Sequence, residues 1–442
     1  MNNDGFRINL SSLIPYNLQL DKEKKNLVLT KGVLKGTVSL LLIKLEIQRQ
    51  LDITIETLSF KKEQKGPIYL DSKEPLPPPV KEQISVIISE VISTNLPRTL
   101  FHKNTHNPMI YLIREIIGIP LIGSLYFGVI DRGTTTLQVR PITGCPLNCP
   151  YCSVDEGPAS RSKIREFVVD PDYLLETYNY VTEQKNESNL EAHIDGQGEP
   201  TGYPYLVDLV KGLARNKRTD TVSLQTNGWF LTESLIDELS AAGLSRVNLS
   251  INAMEPALAK KLTGRGDYNL EKVLEMARYI AESSVSLLIA PLWIPGINDD
   301  EVKPLIEFSK KINPINEKYP TMGIQNYLYH PQGRNIKGVT VKKMEQFNEE
   351  LRQLENEMNH QNLYLTPEMF NNYKTRSLEI PFQINEIITA ETLFAGRLEN
   401  EIIAKIENRL VHIKPVRKAQ PGKKIKIRIT RNRHNIFFAE PA

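Results

Sequence analysis

From Thr134 to Met358 the chain alternates strand-type and helix-type runs, and this rhythm limits its fold more than any other feature. TTTLQVRPIT (134–143) reads as a strand and 170–184 as a helix. Strand 190–195 is followed by helix 203–215, strand 221–225 by helix 232–242, and strand 246–251 by helix 270–282. Strand 285–291 precedes helix 299–312, and strand 321–327 precedes helix 341–358. Six strand-then-helix units imply a parallel sheet with right-handed crossovers. They are too few for an eightfold closed barrel, so the expected class is α/β with a partial (β/α)6 TIM-like barrel. By analogy with complete barrels, chemistry should sit at the C-terminal strand ends.

The flanks read differently. Residues 1–128 carry no motif that can be assigned to chemistry and are expected to form an N-terminal domain of unassigned role. Leu70 to Val80 (LDSKEPLPPPV) reads as a stiff extended linker, because consecutive prolines favour polyproline geometry. Ile84, Ile87, Ile88 and Val91 fall at i, i+3, i+4, i+7, one buried face of a helix. Residues 129–375 hold the alternating core. After 376 short β runs take over, with a small β-barrel expected over 376–442.

The chain has 442 residues, 40% hydrophobic and 24% charged, which excludes a largely disordered polymer. Its longest charge-free apolar stretch, 116–130, falls short of the roughly 20 residues a membrane-spanning helix needs. Three cysteines exclude a disulfide-stapled scaffold, and the polar start MNNDGFRINL is expected not to be a signal peptide. The expectation is a soluble protein of a reducing compartment, cytoplasmic and without a membrane partner. The formal net charge of +3 conceals an asymmetry. Between Asn408 and Ala439 there are ten Lys or Arg and no acid, so the rest of the chain is net −7. This points to an appended basic module with an anionic partner, or to a solvated tail. In KKIKIRITRNR, hydrophobic period two sets Lys424, Lys426 and Arg428 on the outer face of a half-buried strand.

All three cysteines lie within eight residues, Cys145, Cys149 and Cys152, in GCPLNCPYCSVDEGP after the first core strand. Core cysteines normally scatter. Zinc would want four ligands, and the nearest histidine, His193, belongs to another strand. Iron–sulfur ligation suits a three-thiolate set better, with one iron of a four-iron cluster left open to substrate or cofactor.

The C-x3-C-x2-C spacing with Tyr151 before the last cysteine resembles the radical S-adenosylmethionine superfamily. The resemblance implies one [4Fe-4S] cluster on Cys145, Cys149 and Cys152, and S-adenosyl-L-methionine chelated at the open iron. It also implies reductive cleavage to methionine and a 5′-deoxyadenosyl radical, fed by an electron donor such as ferredoxin or flavodoxin. The cofactor carries the hard chemistry, and the protein orients it and excludes water. Gln197-Gly198-Glu199-Pro200 resembles the family's Gly-Gly-Glu-Pro motif, with Gln197 in place of the first glycine. Glu199 would accept from the methionine ammonium, with Gly198 beside it. LQTNG, with Asn227, and RVNLSIN, with Ser250, resemble segments that make polar cofactor contacts. Asn252 stands where relatives often have Asp. In WIPGINDDE the backbone of Ile294 would meet adenine, as would Tyr151. GLSRVNLSINAMEPALAKKLTGRG and PGINDDE are most similar to the molybdopterin-precursor cyclase branch, over about 230 residues. That branch's second three-cysteine set is missing, so a single cluster is expected.

KKIKIRITRNRHNIFFAEPA resembles the end of a TRAM domain, a small β-barrel of RNA-modifying enzymes. Its cations could track phosphates, and His434, Phe437 or Phe438 could stack on bases, although barrel core is the commoner place for the phenylalanines. Trp229 and Trp293 follow core strands and would either rim the active mouth or pack loops. His330 and Arg334 are candidate substrate contacts. The leading functional expectation is a radical enzyme that modifies RNA, tRNA or rRNA, with residues 376–442 separable from barrel and cluster. The alternative is radical modification of a protein or small molecule, with the tail as a docking module.

Overall fold

The structure, a computed structural model, describes residues 6–63, 66–416 and 420–442. The chain divides into two compact units, Met1–Tyr111 and Leu112–Ala442.

In the first unit, Ile68–Ser72 lies between Arg7–Asn9 and Leu58–Lys62 in an antiparallel sheet. A second antiparallel sheet joins Asn17–Leu20, Asn26–Lys31, Leu34–Ser39 and Phe101–His102. The linker expected over 70–80 is therefore corrected at both ends. Ile68, Leu70 and Ser72 alternate inward as a strand, and Pro78 begins helix Pro78–Asn95. Proline suits a helix's first turn, where its missing N–H has no intrahelical partner to lose. The face of Ile84, Ile87, Ile88 and Val91 is buried, as the spacing requires.

The second unit centres on a six-stranded sheet. Strands β1 (Thr136–Arg140), β2 (Leu190–Ile194), β3 (Thr219–Thr226), β4 (Arg246–Leu249) and β5 (Ser286–Ile289) are neighbours in that order and parallel. Gly128–Asp131 closes the β1 edge antiparallel. The sixth unit is reduced. β6 (Gln325–Asn326) pairs with Leu292–Trp293, and one bridge, Ile289 to Met322, ties this segment to β5. Helices Pro171–Lys185, Leu206–Ala214, Glu233–Ala242, Leu270–Ala281, Val302–Lys311 and Met344–Met358 follow the strands, close to their expected positions. Three begin where expected because Asp170, Thr232 and Asn269 cap free N–H groups. Helix Pro256–Thr263 has no counterpart in the expected pattern.

The α/β partial barrel thus stands, with a polar interior. Glu191 accepts from Ser223 Oγ at 2.5 Å and pairs with the Arg246 guanidinium. Arg246 also lies 4.5 Å from the Tyr319 ring and 4.7 Å from Phe370. Nearer the cysteine loop, Arg140 and Gln138 converge on Asp195 at 3.1 and 2.6 Å.

The tail closes into a five-stranded barrel of β7 (Ile387–Ala395), β8 (Ile402–Ile406), β9 (Arg409–Ile413), β10 (Lys424–Arg431) and β11 (Phe438–Pro441). Ile427, Ile429, Val411, Ile413 and Phe437 fill it. Lys424 and Lys426 point outward and Arg428 is half-exposed, as the alternation requires. Arg409 turns inward to Asn435 and the Glu379 carbonyl, so it does not belong to the basic face. Arg417 and Lys418 lie outside the described residues.

Two boundaries differ from expectation. Residues 112–128 belong with the second unit, and the barrel is not a separate one. The apolar run 116–130 packs against the small barrel. Leu410 N–H donates to Ile122 O at 2.7 Å and Phe437 N–H to Gly123 O at 3.1 Å. A Cβ on Gly123 would lie 2.1 Å from Leu410 O, and φ is +115° there, so only glycine fits. Phe127, Phe167 and Phe394 form one aromatic cluster, with centroids 5.0–6.4 Å apart. Lys185 and Asp131, both with fully buried side chains, pair at 3.0 Å, and Lys185 also donates to Arg376 O.

Two consequences can be measured. Deleting 376–442 removes the Arg376 carbonyl from the buried Lys185 ammonium, at about 1–3 kcal/mol, and Arg397 from the buried carboxylates Glu156 and Glu166, at about 3–5 kcal/mol. The truncated chain should lose cooperative thermal unfolding, whereas a separable module would leave the melting of the core unchanged. The second consequence concerns acid. Glu401, 4% exposed, accepts from Tyr126 Oη at 3.0 Å and lies 2.9 Å from His412 Nδ1. Leu125 N–H donates to His412 Nε2, which places the ring proton on Nδ1. Burial opposes the Glu401 charge, but the His412 bond and the others hold its pKa below the ordinary value. A depressed carboxyl contributes stability above its unfolded pKa and loses it as pH falls through the folded one. Melting temperature should therefore drop on acidification below about pH 4.5, and Glu401→Gln should flatten that part of the profile.

Candidate active site

The chain leaves β1 at Arg140 and enters a loop that carries all three thiols. Cys145, Cys149 and Cys152 share the wall of one cavity of about 510 Å³ with Tyr151, Gly198, Asn227, Ser250 and Asn252. Residues following β1, β2, β3 and β4 thus meet at one mouth, where the strand order puts it.

Backbone contacts fix the loop. Gly144 N–H donates to Gln197 O at 3.1 Å, and Glu199 N–H to Gly144 O at 2.9 Å. A Cβ on Gly198 would lie 2.5 Å from Gly144 O, so a glycine is required for this approach. Asn148 N–H donates to Thr263 O at 2.8 Å, which gives helix Pro256–Thr263 a role. The sulfurs meet donors. Leu147 N–H and Asn227 Nδ2 face Cys145 Sγ at 3.4 and 3.5 Å, and Glu156 N–H faces Cys152 Sγ at 3.2 Å. Tyr151 hydroxyl bonds Cys149, while Asn252 Nδ2 donates to Tyr151 Oη at 2.5 Å. Asn252 therefore has a place in the site, since its Oδ1 also accepts from Leu292 N–H. Burial, with neighbouring thiols adding to it, pushes Cys149 up to about 12 and raises Cys145 well above the ordinary thiol value. Thiolates here need a cationic group to balance them.

The structure places the other expected residues as follows. Glu199 is 3% exposed and does not line the cavity. Its Oε1 accepts from Thr201 N–H (3.0 Å), Thr201 Oγ1 (2.6 Å) and Thr226 Oγ1 (2.6 Å), and its Oε2 from Asn227 N–H (2.8 Å). Burial raises its pKa against these bonds. Ile294 is fully buried; its N–H donates to Asn298 Oδ1, and its carbonyl accepts from Ile297 and Asn298 N–H. Ser250 Oγ accepts from Gln225 Nε2 at 3.1 Å. His330 lines the cavity, whereas Arg334 braces the loop through its N–H to Cys152 O (2.7 Å) and its Nε to Asp155 (3.2 Å). Neither tryptophan is in the cavity wall. Trp229 stacks on Tyr268 at 6.2 Å, and Trp293 Nε1 donates to Asp299 at 2.6 Å. His193 bonds Ser223 at 2.7 Å, inside the barrel.

Comparison with known proteins accords with this geometry. The Radical SAM superfamily profile matches residues 139–309. An uncharacterised protein of Methanocaldococcus jannaschii is 40% identical over 377 residues, 81% of this chain and 86% of that one. The chain belongs to the radical S-adenosylmethionine superfamily. GTP 3′,8-cyclases of Desulforamulus reducens and Streptomyces coelicolor are 26% and 30% identical. These matches cover 43% and 40% of this chain, and it spans about half the length of those relatives, 55% and 50%. Among solved structures, SuiB of Streptococcus suis bound to S-adenosylmethionine aligns at TM-score 0.36 and 15% identity, over 65% of this chain and 56% of that one. Coproporphyrinogen III oxidase of Escherichia coli aligns at 0.33 and 17%, over 55% and 52%.

A radical S-adenosylmethionine enzyme binds a [4Fe-4S] cluster and S-adenosylmethionine, and the donor set fits both. Among the described residues no three His, Cys, Asp or Glu side chains converge on a single metal ion. The thiols instead share one cavity wall beside N–H donors, and iron–sulfur clusters are held by thiolates whose sulfurs take such hydrogen bonds. The chain would hold the cluster with Cys145, Cys149 and Cys152, and the cofactor against Tyr151, Gly198, Asn227 and Ser250. When bound, the pair supplies a 5′-deoxyadenosyl radical.

Anaerobic reconstitution should load about four irons per chain, and replacing any one of the three cysteines with Ala should abolish cofactor cleavage while leaving far-UV circular dichroism intact. Glu199→Ala should act through the frame, since it leaves up to four buried donors unsatisfied at about 1–3 kcal/mol each. Melting temperature and S-adenosylmethionine affinity should fall together. Weakened binding at unchanged melting temperature would instead assign Glu199 a direct contact.

Proposed function

We propose that this radical S-adenosylmethionine enzyme modifies RNA, tRNA or rRNA, and that the small barrel is a TRAM-like module contacting the phosphate backbone. One observation carries the reading, a run of cations on one side of the barrel. Lys424, Lys426 and Arg428 alternate outward along β10, and Arg431 and Arg433 follow. Among the described residues the acid nearest this row in ion-pair geometry is Glu440, 3.9 Å from Arg428. Arg132, from the turn before β1, faces the same group. Its side chain is exposed to solvent, yet partial enclosure lowers its pKa first, and Arg140, Arg431 and Arg433 add to that, while Asp195 opposes it. Like charges held together from two parts of the chain favour a polyanion, because phosphate relieves their repulsion and releases condensed counterions. Phe437 is fully buried core and cannot stack on a base. Phe438 stacks on His412 at 4.9 Å with the Arg431 guanidinium 5.6 Å from its ring. His434, at φ +59°, remains the candidate for a base contact.

The second reading takes a free purine nucleotide as substrate, favoured by the similarity to GTP 3′,8-cyclases over the cofactor-binding core. Reconstituted enzyme with reductant and S-adenosylmethionine should release 5′-deoxyadenosine faster on adding total RNA from cells lacking the gene. The digested RNA should then contain a nucleoside of altered mass. Stimulation by GTP and none by RNA would establish the second reading in place of the first. For the RNA reading, six cations reaching phosphate predict a log–log salt slope of about −4 to −5. Charge reversal at Lys424, Lys426 and Arg428 should shallow it by about 2 to 3.

A further inference from the structure

Arg397 lies in the turn between β7 and β8 of the small barrel and is fully buried, yet all its polar partners belong to the cofactor-binding half of the unit. Its guanidinium forks onto Glu156, with Nη1 on Oε1 and Nη2 on Oε2 (2.7 Å). Nε and Nη2 reach Glu166 Oε2, the first at 3.2 Å. Nη1 also faces the Gln197 carbonyl and Gln197 Oε1, both at 3.3 Å, and Nε the Arg165 carbonyl at 3.3 Å. The turn itself is held from below. Ile164 N–H donates to Arg397 O at 3.0 Å, and Arg165 Nη1 to Gly396 O at 3.0 Å.

These partners flank the cysteine loop on both sides. Glu156 stands four residues after Cys152 and donates its own N–H to that sulfur at 3.2 Å. Gln197 accepts from Gly144, the residue before Cys145, at 3.1 Å. Gln197 is also the departure from the Gly-Gly-Glu-Pro pattern, and its side-chain oxygen is spent on Arg397.

We propose that Arg397 is a positioning residue for the radical chemistry. One guanidinium from the small barrel sets the spacing between the two ends of the cysteine loop, and with it the seat of S-adenosylmethionine. The inference rests on the placement of cluster and cofactor at Cys145, Cys149 and Cys152. A buried ion pair is weak evidence for stability, since well-packed apolar groups do as well. What it supplies is geometry, because a planar fork with five donors holds two carboxylates and two backbone carbonyls in fixed directions. Lysine keeps the charge and loses the fork.

Arg397→Lys is the test, with Arg409→Lys as control. Arg409 is equally part of the barrel, is 5% exposed and bonds Asn408, Asn435, the Glu379 carbonyl and Tyr180 of helix Pro171–Lys185, none of which lines the cavity. S-adenosylmethionine affinity of the iron-loaded protein, the electron paramagnetic resonance spectrum of the reduced cluster with and without S-adenosylmethionine, and hydrogen exchange of residues 144–157 in the iron-free protein are read together. Arg397→Lys should raise the dissociation constant tenfold or more, diminish the spectral change on adding S-adenosylmethionine and speed exchange in the loop. Arg409→Lys should lower melting temperature and leave the dissociation constant within twofold. The proposal is overturned if Arg397→Lys binds within twofold of the unaltered protein, or if Arg409→Lys weakens binding as much. Should Arg397→Lys fail to fold, the charge-conserving pair Glu156→Gln with Arg397→Gln decides by the same readings. A tenfold loss with faster loop exchange upholds the proposal, and binding within twofold overturns it.

Discussion

A guanidinium with no access to water is held by two carboxylates and two carbonyls, and the second unit is arranged around that fact. Arg397, Glu156 and Glu166 are all nearly or fully buried, so each depends on the others being present. Burial, with Glu166 adding to it, pushes Glu156 up to about 7 against the pull of Arg397. Such a group is costly to assemble and costly to break, whereas its net contribution to stability is small. It joins the cysteine loop and the nearby strand beginning at Glu166 to the small barrel, 231 residues beyond Glu166. Other contacts repeat the connection. The Gly123 backbone lies against Leu410, and Lys185 joins Asp131 to Arg376 O. The barrel is therefore a wall of the catalytic unit rather than an appendage.

The core sheet divides polar from apolar work in the same spirit. Its helices cover one side with residues such as Leu174, Leu209 and Ile280, all fully buried. Across the strands Glu191, Ser223 and Arg246 bond one another, as do Gln138, Arg140 and Asp195. A barrel lined this way pairs most of its interior polar groups without closing fully, with Arg246 Nη1 and Ser286 Oγ left without a partner among the described residues, and the cavity at the strand ends stays open for a cofactor and a substrate. Glu199 belongs to this framework, because its carboxylate ties Thr201, Thr226 and Asn227 across two strand ends.

The periodic parts of the chain are legible in the sequence alone. Alternating strand and helix patterns predict β1–β5 and their helices, because each pattern depends only on residues a few positions apart. The three-cysteine spacing and Tyr151 point to the cluster for the same reason, since a single loop supplies the ligands. The outward cations of β10 follow from period two. Residues 70–80 mislead as a linker because their proline-rich composition outweighs the alternation of Ile68, Leu70 and Ser72.

What only the tertiary structure decided is which distant groups meet. Glu156 is visible beside the cysteines and Gln197 as a departure from a motif, yet nothing local ties either to Arg397, far along the chain from both. The motifs point to Glu199 and Ile294 for the cofactor, and the structure adds that both also bond neighbours whose nearness no spacing reveals. A buried charge takes its meaning from its partners, and when these come from three separate segments, only the fold can bring them together.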